Sequence, residues 1–255
     1  MTNILIQRDD AILRIGLHRP DKKNALTAAM YLAIADALNA ADVDAAVRVI
    51  LLHGSEDAFT AGNDISDFLT NPPRGNDTGV ARFLRAIADT KKPLVAAVAG
   101  PAVGVGTTML LHCDLVYAAD SAKFSLPFVN LGLCPEGASS YLLPLIAGYQ
   151  RAAKLLLLGE PFDATTAHEI GLVTEVVAPG ALMSTASSAA RKIAALPPSS
   201  VRLTKALMKR GLRQGIDEQM AEEARHFIQR LDSPEAKEAF SAFLEKRRPD
   251  FSKFV

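Results

Sequence analysis

Lys92-Pro93-Leu94-Val95-Ala96-Ala97-Val98-Ala99-Gly100-Pro101-Ala102-Val103-Gly104-Val105-Gly106 is the stretch on which the fold turns. Leu94 to Ala99 is a short apolar run of β type, and Gly104 to His112 has the length and composition of a helix entered through glycines. A second β-type run, Asp114 to Ala118, follows. The free backbone N–H groups at the start of such a helix, with the positive end of its dipole, suit an oxygen that gains negative charge during a reaction. The same glycines also read simply as tight turns. A phosphate cradle is excluded because the tract lacks a Gly-Lys-Ser/Thr ending, and a dinucleotide fingerprint because Met109 stands where the third glycine belongs.

Working outward, the same order recurs upstream. Val47 to His53 reads as a buried strand, and Phe59-Thr60-Ala61-Gly62-Asn63-Asp64-Ile65 forms a second glycine-bearing turn able to point backbone N–H groups outward. Before it, Thr27 caps a predicted helix to about Ala41 with Met30, Ile34, Ala37 and Leu38 on one face. At the N-terminus, Ile4 to Gln7 and Ala11 to Leu17 flank a polar Arg8-Asp9-Asp10 turn and predict a β-hairpin. Asn71 to Gly79 is too rich in breakers for a regular element and reads as a mobile surface loop before a helix over 80–89. Downstream, helices are predicted over 137–147, 150–158 and 164–170, then a strand over 172–177 and a helix from about Pro179. After the break at Pro197-Pro198-Ser199-Ser200, three amphipathic helices are predicted over 201–211, 216–231 and 234–245, which places a boundary near residue 195.

Composition narrows the function classes. A chain of 255 residues with 49% hydrophobic content can bury a sizeable core. Its 28 basic and 28 acidic residues cancel, which argues against nucleic acid or an anionic membrane surface as partner. Cys113 and Cys134 have neither CxxC spacing nor a histidine cluster, so no metal site is expected. Charges at Arg8, Asp9, Asp10 and Arg14 interrupt any signal-like start, and no run approaches the roughly 18 to 20 apolar residues of a membrane span. A cytoplasmic protein is the expectation.

Three stretches carry a resemblance: His18-Arg19-Pro20-Asp21-Lys22-Lys23-Asn24-Ala25-Leu26, Ala61-Gly62-Asn63-Asp64-Ile65 and Lys92 to Gly100. In that order and spacing they resemble successive signatures of the crotonase, or enoyl-CoA hydratase/isomerase, superfamily. Cys113-Asp114-Leu115-Val116, Leu131-Gly132-Leu133 and Gly171-Leu172-Val173 extend the similarity over about residues 10 to 180, and more loosely to the C-terminal helices. The resemblance implies an α/β fold with a crotonase-like ββα spiral core over 1–195. It also implies a C-terminal helical region over 196–255 that mediates assembly into a homotrimer or hexamer. The implied substrate is an acyl-CoA thioester, so that coenzyme A belongs to the substrate and no separate cofactor is expected. The backbone N–H groups of Asn63 and Val105 would hold the thioester oxygen, Val105 standing where a glycine is usual. Lys23, Ala25, Ala61, Gly62, Asp64 and Ile65 would line the CoA groove, with Phe128 shaping the acyl pocket and Phe68 and Leu69 lining its tunnel.

The reaction class rests on carboxylates. Family hydratases use two glutamates, and the matching positions here are Thr108 and Phe128, so the acid and base for adding water are missing. Pro135-Glu136-Gly137-Ala138-Ser139-Ser140 instead resembles the enoyl-CoA isomerase branch, in which a glutamate shuttles one proton. Glu136 is therefore the expected catalytic residue, and conversion of 3-enoyl-CoA to 2-trans-enoyl-CoA the expected reaction. From local sequence alone, Glu136 also reads as a first-turn glutamate favoured by a helix dipole. Its apolar neighbours would raise its pKa, whereas a helix N-terminus would oppose that. Hydration or another acyl-CoA transformation, and non-catalytic binding of a CoA thioester, are the alternatives. His53 and His112 read as core or interface histidines, Asp114 as a capping or paired residue, and Ser139 and Ser140 as supports for the helix after Glu136. Lys246-Arg247-Arg248 reads as a solvated helix end.

Overall fold

The computed structural model describes residues 3–72, 74–75 and 77–254. The chain opens with β1 (Ile4–Asp9) and β2 (Ile12–Leu17), an antiparallel hairpin whose turn lies at Asp10 and Ala11. Arg8 and Asp9 belong to the strand, and Asp10 takes the left-handed φ of 55° that the turn requires. Then follow α1 (Ala28–Val43), β3 (Val49–His53), α2 (Ile65–Thr70), α3 (Gly79–Asp89), β4 (Leu94–Val98), β5 (Pro101–Val103) and α4 (Val105–Thr108). Next come β6 (Leu115–Ala119), β7 (Lys123–Ser125), α5 (Ser139–Ala147), α6 (Tyr149–Leu158), β8 (Phe162–Asp163), α7 (Ala164–Glu169) and β9 (Glu175–Val177). The chain ends in α8 (Leu182–Ala194), α9 (Pro198–Arg210), α10 (Arg213–Leu231) and α11 (Pro234–Leu244).

A six-stranded sheet runs β1-β2-β3-β4-β6-β9, parallel from β2 onward. A second sheet, β5-β7-β8, sits beside it, and Thr60 joins its edge through an isolated bridge to Ala102. Each turn of the chain thus visits the large sheet, then the small one, then a helix: β3, Thr60 and α2; β4, β5 and α4; β6, β7 and α5. This is the α/β spiral that the resemblance implied.

Alternation along the strands explains the layering. Ile50, Leu52, Leu94, Ala96 and Val98 face the main core with α1 and α3, while Val49, Leu51, Val95 and Ala97 face Leu182, Ala186 and Ala190 of α8. Parallel strands covered on both faces must be apolar on both, hence the unbroken VILLH and LVAAV runs. Thr27 caps α1 by accepting from the Met30 N–H. Pro198 occupies the first turn of α9, where its missing N–H removes no hydrogen bond.

Several boundaries differ from expectation for physical reasons. The helix expected over 104–112 is a four-residue α4 followed by a tighter 3-10 turn, Met109–His112. The strand expected over 172–177 shortens to β9, because Leu172 and Val173 are buried in the turn after Gly171 and their N–H groups both bond Ala167. The helix expected from 137 begins at Ser139, since Gly137 and Ala138 both take left-handed conformations, with φ of 69° and 58°. In the breaker-rich stretch 71–79, Pro73 and Asn76 lie outside the described residues.

The C-terminal helices dock through specific contacts. Lys205 of α9 is buried and donates to the Lys92 carbonyl at 2.7 Å and to Asp114 Oδ2 at 2.6 Å. Asp114 also accepts from the Leu94 N–H, so this pair locks α9 to the start of β4. Phe227 of α10 and Phe240 of α11 both pack around Phe68. Arg247 is engaged by Glu238 and Glu245 at the C-terminal end. No helix among the described residues is long and apolar enough to cross a membrane.

Asn24 carries the most concentrated set of buried polar contacts outside the sheets. Fully buried and left-handed at φ 56°, it accepts from the Arg19 N–H and donates to the Ala58 and Phe59 carbonyls, while its own carbonyl accepts from Thr60 Oγ1. Asn24→Ala is expected to destabilise the fold by about 2–4 kcal/mol in denaturant titration, since it orphans buried carbonyls that cost about 1–3 kcal/mol each.

Candidate active site

Four chain segments converge on one cavity of about 170 Å³. Asn63 stands on one side, Phe68 and Leu84 supply apolar wall, Glu136 and Gly137 form the inner end, and α10 contributes Met220 and Phe227.

Glu136 is buried at 9% exposure, and one carboxylate oxygen accepts a hydrogen bond from the Thr108 hydroxyl. The other oxygen, Oε2, is buried with no partner among the described residues. Desolvation pushes its pKa up to about 7; the Thr108 hydrogen bond opposes the rise and the nearby Glu223 carboxylate adds to it. The residue lies outside helix α5, two positions before the left-handed Ala138 that opens it, so it is not a first-turn glutamate. This corrects the dipole argument made from local sequence.

Glu223 of α10 takes that place instead. Its carboxylate accepts from the Ala138 N–H at 2.6 Å, the Ser140 N–H at 2.9 Å and Ser140 Oγ at 2.5 Å. Burial raises the Glu223 pKa and these hydrogen bonds restrain the rise. Gln219 donates to the same Ser140 hydroxyl. A side chain 85 residues away in sequence thus caps α5, which no local pattern around Pro135 could have revealed.

Asn63 lines the cavity, whereas Val105, buried at the start of α4, is not among its lining residues. Asn63 pairs with Leu26 in an isolated parallel bridge, in which the Leu26 N–H bonds the Gly62 carbonyl and the Asp64 N–H bonds the Leu26 carbonyl. That pairing uses the flanking groups and turns the Asn63 N–H away from Leu26. Among the described residues neither the Asn63 nor the Val105 N–H donates to another protein group. Gly62, at φ 85°, is required because a Cβ there would stand 2.8 Å from the Val103 carbonyl oxygen. The two glycine turns therefore touch, one against the other.

The remaining expected residues divide. Lys23 is exposed, left-handed at φ 47°, and its carbonyl accepts from the Ala61 N–H; the Ala25 carbonyl accepts from Arg19. Asp64 is committed to structure, capping α2 at the Ser66 and Asp67 N–H groups and pairing with Arg19 at 2.6 Å. Desolvation is the largest single influence and raises its pKa, but the Arg19 hydrogen bond and charge and the Ser66 and Asp67 N–H groups together outweigh it and hold the carboxyl below the ordinary range. Ile65 starts α2 beside it. Phe68 lines the cavity, but Leu69 is exposed and Phe128 is buried in the main core without lining it. His112 is buried, its Nε2 bonded to the Gly137 carbonyl, and desolvation drives its pKa down to about 4, so it is neutral. Among the described residues no group of three or more His, Cys, Asp or Glu side chains could hold a metal ion.

Residues 7–253 match the sequence profile of a family described as enoyl-CoA hydratase/isomerase. The chain belongs to that family. Within it, the human "Enoyl-CoA delta isomerase 2" is 35% identical over 96% of this chain, which spans 64% of the length of that longer protein. A "Probable enoyl-CoA hydratase" of Rhizobium meliloti is 36% identical over 97% of each chain. Among solved structures, OdaA of Pseudomonas aeruginosa superposes with a TM-score of 0.94 at 46% identity, covering 96% of this chain and 99% of that one. Hydratase and isomerase names thus occur side by side among relatives of this hydratase/isomerase family member.

The raised pKa of Glu136 has a sign that can be tested. The folded chain holds this proton up to about pH 7, whereas a free carboxyl releases it near 4.5. Wild-type stability therefore loses this contribution as pH rises from 4.5 through 7, and Glu136→Gln does not. Denaturant unfolding of both proteins at pH 4.5 and pH 8 should show the variant gaining up to about 3 kcal/mol relative to wild type.

Proposed function

We propose that the protein isomerises 3-enoyl-CoA thioesters to 2-trans-enoyl-CoA through a thioester enolate, with Glu136 as the single proton carrier. The observation that carries this reading is the state of Glu136: buried, raised to a pKa of about 7, with one oxygen held by Thr108 and the other without a partner among the described residues. Such a carboxylate is basic enough at neutral pH to take a proton from C2 of the acyl chain. The Asn63 and Val105 N–H groups would receive the negative charge that passes to the thioester oxygen. Glu136 then returns the same proton at C4, the double bond moves from position 3 to position 2, and no atom is gained or lost.

Hydration would need a second acid or base to deliver water at C3. Thr108 occupies one of the two positions where family hydratases carry glutamates, and its hydroxyl is spent on Glu136. The buried Phe128 occupies the other. The apolar wall from Phe68, Leu84 and Phe227 supports an acyl chain as the cavity's occupant. Exposed Leu203, Leu207 and Met208 on α9 support assembly through the 196–255 region, as a trimer or a dimer of trimers.

Incubation with 3-enoyl-CoA should give 2-enoyl-CoA of unchanged mass, with activity rising through pH 7 as Glu136 ionises. Glu136→Gln should lower kcat by at least about a thousandfold while acyl-CoA still binds. Gain of water on 2-enoyl-CoA would replace this assignment by hydration, and binding with no turnover of either substrate would replace it by a carrier role.

A further inference from the structure

Tyr31 is buried on α1, and the reaction above does not use it. Its hydroxyl donates to Asn63 Oδ1 at 2.6 Å, and its ring lies against Phe83 with centroids 5.3 Å apart. Burial first, then the charges of Glu136 and Asp67, keep the phenol protonated far above its ordinary range, so it remains a donor at working pH.

The acceptor of this bond is the residue that most needs holding. Asn63 belongs to no helix or strand; it follows left-handed Gly62 and precedes Asp64, the N-cap of α2. The Leu26 bridge grips the Gly62 carbonyl and the Asp64 N–H, leaving the Asn63 N–H and side chain outside that ladder. The Leu26 bridge thus fixes the Gly62–Asn63 peptide that carries this N–H, and the side-chain amide is a second handle, which Tyr31, on α1 and packed against Phe83 of α3, takes.

We propose that Tyr31 is a positioning residue for the oxyanion donor: by holding the Asn63 side chain it acts with the Leu26 bridge to keep the Asn63 peptide N–H directed at the cavity. The inference rests on the enolate-stabilising role proposed for Asn63. A donor aimed a few tenths of an ångström off the developing charge loses much of its effect in a site that excludes water. Phenylalanine at 31 keeps the packing on Phe83 and removes only the handle.

The test reads the thioester carbonyl directly and needs no turnover. A saturated acyl-CoA carrying 13C at that carbonyl is bound to wild type, Tyr31→Phe, Asn63→Ala and the double variant, and its resonance is followed by NMR. In wild type the resonance moves downfield as the donors polarise the carbonyl. Tyr31→Phe and Asn63→Ala each lose at least half of that displacement, the double variant loses no more, and affinity changes less than about threefold. In turnover the same variants show kcat lowered about tenfold with KM nearly constant. Asn63→Ala cuts the same bond from its other end, so the inference stands or falls even if Tyr31→Phe folds poorly. A full displacement in either single variant, or additive losses in the double, overturns the positioning role alone. No displacement in wild type removes the oxyanion reading and this inference with it.

Discussion

The buried amide of Asn24 is the constraint on which the site's geometry depends. It sits in a left-handed turn and reaches across to the carbonyls of Ala58 and Phe59, so the segment leading from β3 to Asn63 has one permitted path. Thr60 closes the loop by donating to the Asn24 carbonyl and accepting from the Gly62 N–H. From there the Thr60–Ala102 bridge passes the same fix to the second glycine turn. Two glycine turns from distant parts of the chain can lie against each other only if their loops are registered, and these few buried hydrogen bonds perform that registration.

The carboxylates show how burial divides labour. Glu136 and Glu223 lie close enough to affect each other's charge, yet they have opposite supports. Glu223 is surrounded by donors and works as a cap; among the described residues Glu136 has a single hydroxyl donor and an unsatisfied oxygen. A group that is fully satisfied is fixed and inert, whereas one left partly unsatisfied in an apolar setting keeps its affinity for a proton.

The main sheet and the long helices were legible because their signals are local: VILLH and LVAAV are continuous apolar strands, and Thr27 is a cap followed by helical periodicity. Strands β5, β7 and β8 were not, since two or three residues show no period. Glu136 was reachable through resemblance alone, because its local sequence equally suits a helix start. Glu223 was invisible among the acids of α10, where Glu218 and Glu222 look alike in pattern and face solvent. Tyr31 adjoins the core stripe read from Met30 and Ile34, and only the tertiary bond to Asn63 separates it from ordinary packing. Phe128 was read as a pocket residue because it matches a catalytic position of relatives; a phenyl ring there finds more apolar contact in the core.

The capping of α5 by Glu223 also bears on the order of events at the ribosome. The spiral, with both glycine turns and Glu136, leaves the exit tunnel well before α10 does, because chains are synthesised from the N-terminus at about 5–20 residues per second. For several seconds the nascent protein holds Glu136 and both glycine turns without the helix that lines the cavity and without the acid that anchors the turn beside Glu136. The cavity is therefore completed late, when α10 docks, so a ribosome that stalls before residue 223 leaves a spiral whose site lacks one wall and the Glu223 cap.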